Sequence, residues 1–104
     1  MKLLNIDYIP GKEIEPLGIV KGTVVHTKNV GRDFMAAMKT LVGGELVGYT
    51  QMLNEARQIA VKRMVDEAQA LGADAVINIR YGTSSVMSGA AEVIAYGTAV
   101  KIIN

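Results

Sequence analysis

The 104-residue chain contains no cysteine and no tryptophan, and it has one histidine, one phenylalanine and two prolines. Without cysteine there can be no disulfide, no thiolate metal ligand and no cysteine nucleophile. One histidine without thiolates is a thin basis for binding soft metals. No apolar run approaches the ~20 residues of a membrane-spanning helix. Asp7, Pro10, Lys12 and Glu13 interrupt the N-terminus where a signal peptide would need its apolar core. The expectation is a soluble cytoplasmic protein. Neither sign of charge dominates: 11 basic and 10 acidic residues give a formal charge of +1, with the basic residues spread out. Nucleic acid and anionic membrane surfaces are therefore poor partners.

Apolar side chains, by contrast, are plentiful. Half the residues are hydrophobic and only 20% are charged, below the usual quarter. At this length the expectation is a single domain over residues 1–104, with residues 1–16 as an N-terminal arm. Gly43-Gly44 ends whatever precedes it, helical spacing runs from Leu46 to Leu71, and Gly72 is placed as a left-handed C-terminal cap. Leu46, Tyr49, Leu53, Ala56, Ala60, Met64 and Leu71 form the expected core stripe, with further apolar residues on both flanks. The apolar arc is about 240° wide, where a surface helix of a monomer needs little over ~100°. A helix of this length spans ~39 Å, as long as a compact domain of this size is wide (~34 Å). Little chain remains to wrap it, so a neighbouring subunit is expected to cover the excess.

Around that helix the chain reads β–α–α–β–β, which places it in the α+β class as a small, mainly antiparallel sheet on one long and one short helix. Leu3 to Ile9 contains a possible edge strand, and Leu17 to Thr27 is a strand whose Gly18 and Gly22 allow a close approach on one face. Asn29 as N-cap and Asp33 near the first turn bracket the start of the shorter helix, which runs through Val42. Ala75 to Tyr81 is a strand with Ala75, Ile77, Ile79 and Tyr81 on one face. Gly82 to Gly89 is expected as a loop, and Glu92 to Ile103 as the last strand. In that strand the bulky Ile94, Tyr96, Thr98, Val100 and Ile102 are expected to cover the helix. The smaller face of Val93, Ala95, Gly97, Ala99 and Ile103 is still apolar, and is expected to be covered as well.

Several residues here form a familiar pattern. Asn29-x-x-Arg32-Asp33, Gly43-Gly44, Tyr49, Ala56-Arg57, Ala60, Leu71 to Val76, and Gly97 to Lys101 together resemble the YbjQ-like family, over about Leu17 to Ile102. The resemblance implies a subunit like that of dodecin, a ring-shaped homopentamer and an undetermined biochemical role under the label "putative heavy-metal-binding". Relatives often carry acidic residues at alternating positions after Asn78; this chain has Arg80 and Tyr81 there, which weakens a carboxylate metal site.

The candidate constellations each have a bland reading. His26 with Asp33 could contribute to a metal site, or His26 could be a strand-end side chain bonded locally. Gly43-Gly44-Glu45 could present backbone N–H groups to an anion, but it lacks the residues of a phosphate loop and also reads as an interhelical turn. Glu45, Tyr49, Arg57 and Arg80 are the ligand-binding candidates. Arg63 and Glu67, four apart inside the apolar arc, are expected to form a structural or intersubunit ion pair. The methionines sit mostly at core spacing, against a copper(I) site. No histidine–carboxylate relay accompanies Ser84, Ser85 or Ser88. Two functions are thus in view. One is a homo-oligomeric module holding a metal ion or small ligand between subunits. The other is a small enzyme with an acid–base site near the start of the long helix, built from Glu45, Tyr49, Arg57 or His26. The cofactor is left unknown.

Overall fold

A computed structural model describes residues 1–26, 47–87 and 90–104, with the backbone alone for residues 26, 47–52, 85–87, 90 and 91. Four strands, β1 (Lys2–Leu3), β2 (Ile14–His26), β3 (Ala75–Met87) and β4 (Ala90–Ile102), and one helix, α1 (Val47–Ala70), make up the described residues. The sheet order is β1-β3-β4-β2. β1 joins β3 in parallel, and the other two pairings are antiparallel. The expected α+β, mainly antiparallel architecture is what the chain adopts. The expected short helix falls on residues outside those described.

The strands of the main ladder differ from expectation at their ends, by two residues or fewer except at the start of β2 and the end of β3. β2 begins at Ile14, three residues early, because Ile14 to Pro16 pair with Ile102 to Val100. Gly82 to Met87, expected as loop, continue β3: each of Gly82 to Ser85 pairs in register with a β4 residue from Ile94 to Ala91. Serine and threonine suggest a turn when read alone, but a long partner strand satisfies their backbone groups and draws them into the ladder.

The helix lies on one face of the sheet. Ala56, Ala60, Met64 and Ala68, spaced every four residues, are buried, and the last three pack against Val20, Val76, Ala95 and Ala99. The sheet face expected to cover the helix is therefore reversed: the small residues of β4 meet α1, and the bulky ones face away. Distance of approach is the physical reason. A Cβ at Gly22 would stand 1.9 Å from the carbonyl oxygen of Ala60, so the helix backbone rests directly on β2. Glycine at this point of the strand leaves room for that contact.

Behind the sheet, the N-terminal segment closes a second, smaller core. Ile9 is buried against Ala75, Ile77 and Val100, flanked by Leu4, Ile14 and Ile102. A tight turn aims it there: Lys12 N–H donates to Ile9 C=O at 3.0 Å, with Pro10 next and Gly11 at φ 74°, the arrangement of a type II turn.

Gly72 caps α1 as expected. Its φ is 78°, its N–H donates to Gln69 C=O at 3.0 Å, and Ala73 N–H donates to Ala68 C=O at 3.1 Å. These are the two bonds of the Schellman motif.

Arg63 and Glu67 do not pair with each other as expected. The Arg63 guanidinium donates to Thr23 C=O at 2.5 Å, and Glu67 Oε1 accepts from Lys21 N–H at 3.3 Å. Both caps fall on β2, the strand at the end of the sheet. The close helix–strand contact puts its outward backbone groups within reach of these side chains, and a strand edge needs such partners.

Candidate functional site

A bulge in β3 sets up the site. Ile77 pairs with Thr98 and Arg80 with Tyr96, so three steps on β3 oppose two on β4. Asn78 occupies the bulge at φ 56°, a left-handed conformation that asparagine adopts more readily than other residues with a side chain. One extra residue inverts the alternation. Val76 and Ile79 consequently pack into the same core against α1, and Tyr81 follows Ile79 to the helix side. The sequence expectation that Ala75, Ile77, Ile79 and Tyr81 share a face fails at this bulge.

Tyr81, 56% exposed, stands where three hollows meet between α1 and β3. One, of about 490 Å³, is lined by Asn54, Arg57, Gln58, Val61, Lys62 and Tyr81. A second, of about 510 Å³, shares Val61 and Tyr81 with it and reaches across Ile79 and Arg80 to Leu3, Leu4 and Asn5. A smaller one, of about 210 Å³, runs from Arg57 and Tyr81 towards Leu53 and Val93. Together they form a branched cleft with an apolar floor.

The charges around this cleft have one sign. Arg57, Lys62 and Arg80 line it, and among the described residues no carboxylate does. Arg57 Nη2 donates to Asn54 Oδ1. Arg80 Nη1 donates to Asn5 C=O at 3.1 Å and to its neighbour Ile79 C=O at 3.3 Å. Each guanidinium is thus oriented by neutral oxygens, which hold the fork in place without cancelling its charge. Lys62 pairs with Asp66 at 3.1 Å, with both side chains largely exposed. Such a pair contributes no more than about 0.5 kcal/mol, so Lys62 turns towards the cleft at little cost. On the solvent side of α1 the pattern is different: Glu55 and Asp66 stand beside Lys62 and Arg63 around a shallow depression.

Of the residues singled out in the sequence, Arg57 and Arg80 are brought to adjoining hollows. Glu45 and Asp33 lie outside the described residues. Tyr49 belongs to the first turn of α1 and His26 ends β2 opposite Ala91, and the side chains of both lie outside the described set. Among the described residues there is no group of three or more histidine, cysteine, aspartate or glutamate side chains placed to hold a metal ion. The cleft does not fit a metal either, because its donors are cationic nitrogens, amides and one phenol. Sequence reasoning missed Tyr81 and Lys62. The available signal was Asn78, a residue tolerant of positive φ in the middle of an otherwise β-forming run.

In class, this is an α+β protein: a four-stranded mixed sheet with a long helix on one face and an N-terminal segment on the other. The family model described as "Putative heavy-metal-binding" matches residues 1–103, and the chain belongs to that family, the YbjQ family. A UPF0145 protein of Clostridium novyi is 65% identical over 103 residues, covering 99% of this chain and all of that one. A UPF0145 protein of Thermotoga maritima is 57% identical, covering 98% of this chain and 97% of the relative. Among solved structures, a protein of unknown function from the DUF74 family of Pediococcus pentosaceus superposes with a TM-score of 0.69 at 17% identity. That match covers 98% of this chain and 97% of the other, and at this identity the likeness is one of fold. Among the described residues no helix is long and apolar enough to cross a membrane.

Proposed function

We propose that the chain is a self-associating binding module whose copies cover each other's open sheet surface and hold a small ligand in the crevices so formed. The observation that carries this reading is the uncovered half of the sheet. Ile19 is 79% exposed, with exposed Val25 and Tyr96 on the same face. Ile19 and Val25 belong to the 13-residue β2, at the end of the sheet, and Tyr96 to its neighbour β4. A long edge strand that no other described strand pairs, capped by side chains only at Lys21 and Thr23 among the described residues, is a template for pairing with another chain. A second copy is the partner always present at matching concentration. The shape supports this: the extents are 54 × 28 × 17 Å and the radius of gyration is 16.9 Å, against ~13 Å for a compact domain of this length. The family resemblance implies that the assembly is a pentameric ring of dodecin-like subunits.

The family description makes a metal ion one candidate ligand, for which His26 and Asp33, contributed by more than one copy, are the donors to test. Native mass spectrometry reads both parts of the proposal at once. The expected spectrum is a discrete oligomer, five-fold if the ring closes as proposed, together with any retained ligand. An Ile19→Lys variant is expected to shift it towards monomer while keeping the far-UV circular dichroism of the parent. A parent protein that is monomeric at micromolar concentration overturns the proposal.

A further inference from the structure

We infer that the cleft around Tyr81 binds a small organic anion carrying a flat ring, the anionic group held by Arg57 and Arg80 and the ring laid on the Tyr81 face. The inference deepens the binding-module reading by naming a ligand class, and it rests on that reading only in so far as a small molecule is bound at all. Three observations converge on it. First, among the described residues the cleft is lined by three cations and no carboxylate, in a chain whose overall charge is only +1. Lys62 is partly offset by Asp66, but Arg57 and Arg80 are bonded to neutral oxygens, and two such cations raise the local concentration of the opposite ion. Second, the two guanidinium groups are already oriented through Asn54 and Asn5. Their remaining N–H groups match the two-oxygen edge of a carboxylate or phosphate, and little rotamer freedom is left to lose on binding. Third, Tyr81 stands between the hollow of Arg57 and the hollow of Arg80, and Val61 and Ile79 form the floor beneath it. An exposed phenol ring above an apolar floor is a stacking platform, and a ring laid on it would place its anionic substituent among the cations.

The bulge at Asn78 gives this arrangement its logic. Without the extra residue, Tyr81 would point to the far face of the sheet, and Arg57 would stand over a cleft with no ring in it. The same bulge leaves Arg80 at the strand edge, in contact with the N-terminal segment.

The test uses the full-length protein with three probes: adenosine 5′-monophosphate, adenosine and inorganic phosphate. Binding is followed by NMR at the arginine Nε–H and tyrosine ring signals, with the oligomeric state checked by light scattering in the same samples. The expected result is saturable binding of the nucleotide, with both the neutral nucleoside and phosphate alone weaker by about tenfold or more, the loss of one charge-assisted contact or of the stacked ring. Raising the salt concentration should weaken the nucleotide further. Arg57→Gln, Arg80→Gln and Tyr81→Leu should each lower nucleotide affinity by about tenfold, with the first two also reducing the salt dependence. Equal affinity for nucleotide and nucleoside would overturn the anionic assignment, and equal affinity for nucleotide and phosphate would overturn the ring. No shift of the Arg57, Arg80 or Tyr81 signals at millimolar nucleotide would overturn the inference outright. An oligomer that fails to bind sinks this inference and leaves the assembly standing; a monomer that binds does the reverse.

Discussion

The two faces of the sheet carry similar amounts of apolar side chain and meet different fates. On the helix side, Val20, Ala95 and Ala99 are fully buried under Ala56, Ala60, Met64 and Ala68. On the other side, Ile9 seals the end of the sheet around Ala75, Ile77 and Val100, while Ile19, Val25 and Tyr96 remain open. The small face is the sealed one because α1 rests on β2 at Gly22, where no side chain fits between them. Among the described residues, the bulky face is covered as far as the N-terminal segment reaches. Burial here follows from what can come near, and hydrophobicity residue by residue does not predict it.

The sharpest way to break that contrast is to prevent the close approach. Gly22→Ala puts a methyl group into helix backbone, 1.9 Å from Ala60 O and 2.5 Å from Met64 N. We expect at least ~3 kcal/mol of lost stability, the upper end of ordinary overpacking, since backbone cannot swing aside. A melting point lowered by more than ~12 °C would register it. Gly82→Ala, whose new methyl would meet only the end of the Ile94 side chain at 3.0 Å, should cost far less. Equal shifts for the two variants would show that the helix does not rest on β2 as described.

Truncation on the far side sharpens the comparison between its covered and open halves. Ile9→Ala should lower the unfolding free energy in urea by ~2–3 kcal/mol, as for a buried isoleucine losing its packing. Ile19→Ala, measured under conditions that hold the chain monomeric, should change it by no more than ~0.5 kcal/mol. Comparable losses for both would mean that something within the same chain covers Ile19.

A smaller loss than at Gly22 or Ile9 is expected at the bulge. Asn78→Val forces a β-branched residue to positive φ and should cost ~1–2 kcal/mol, whereas Asn78→Gly should be close to neutral. If the valine variant is as stable as the parent, the inverted alternation that brings Tyr81 to the helix side is not enforced there.

Much of the fold was legible along the chain. Helical spacing and Gly72 located the long helix and its cap, and the β-forming runs located the strands to within a few residues. The extension of β3 through Ser84 and Ser85 was not legible, because it depends on β4 lying alongside. Half of the candidate site was legible too. Arg57 and Arg80 are both among the ligand-binding candidates the sequence offers, but Lys62 reads as an ordinary exposed residue and simple alternation puts Tyr81 on the wrong face. The pairing of Arg63 with Glu67 was a reasonable inference from their spacing alone. It gave way to β2, whose outward N–H and C=O groups bind those side chains.

The order of residues by itself determined which segments become helix or strand, because backbone preference and side-chain period are local properties. It also determined that half the residues are hydrophobic. Only the tertiary structure decided which face of β4 meets the helix, which residue absorbs the bulge, and which cations gather around Tyr81. Those outcomes turn on distances of a few ångströms between segments far apart in the chain, and no local pattern encodes them.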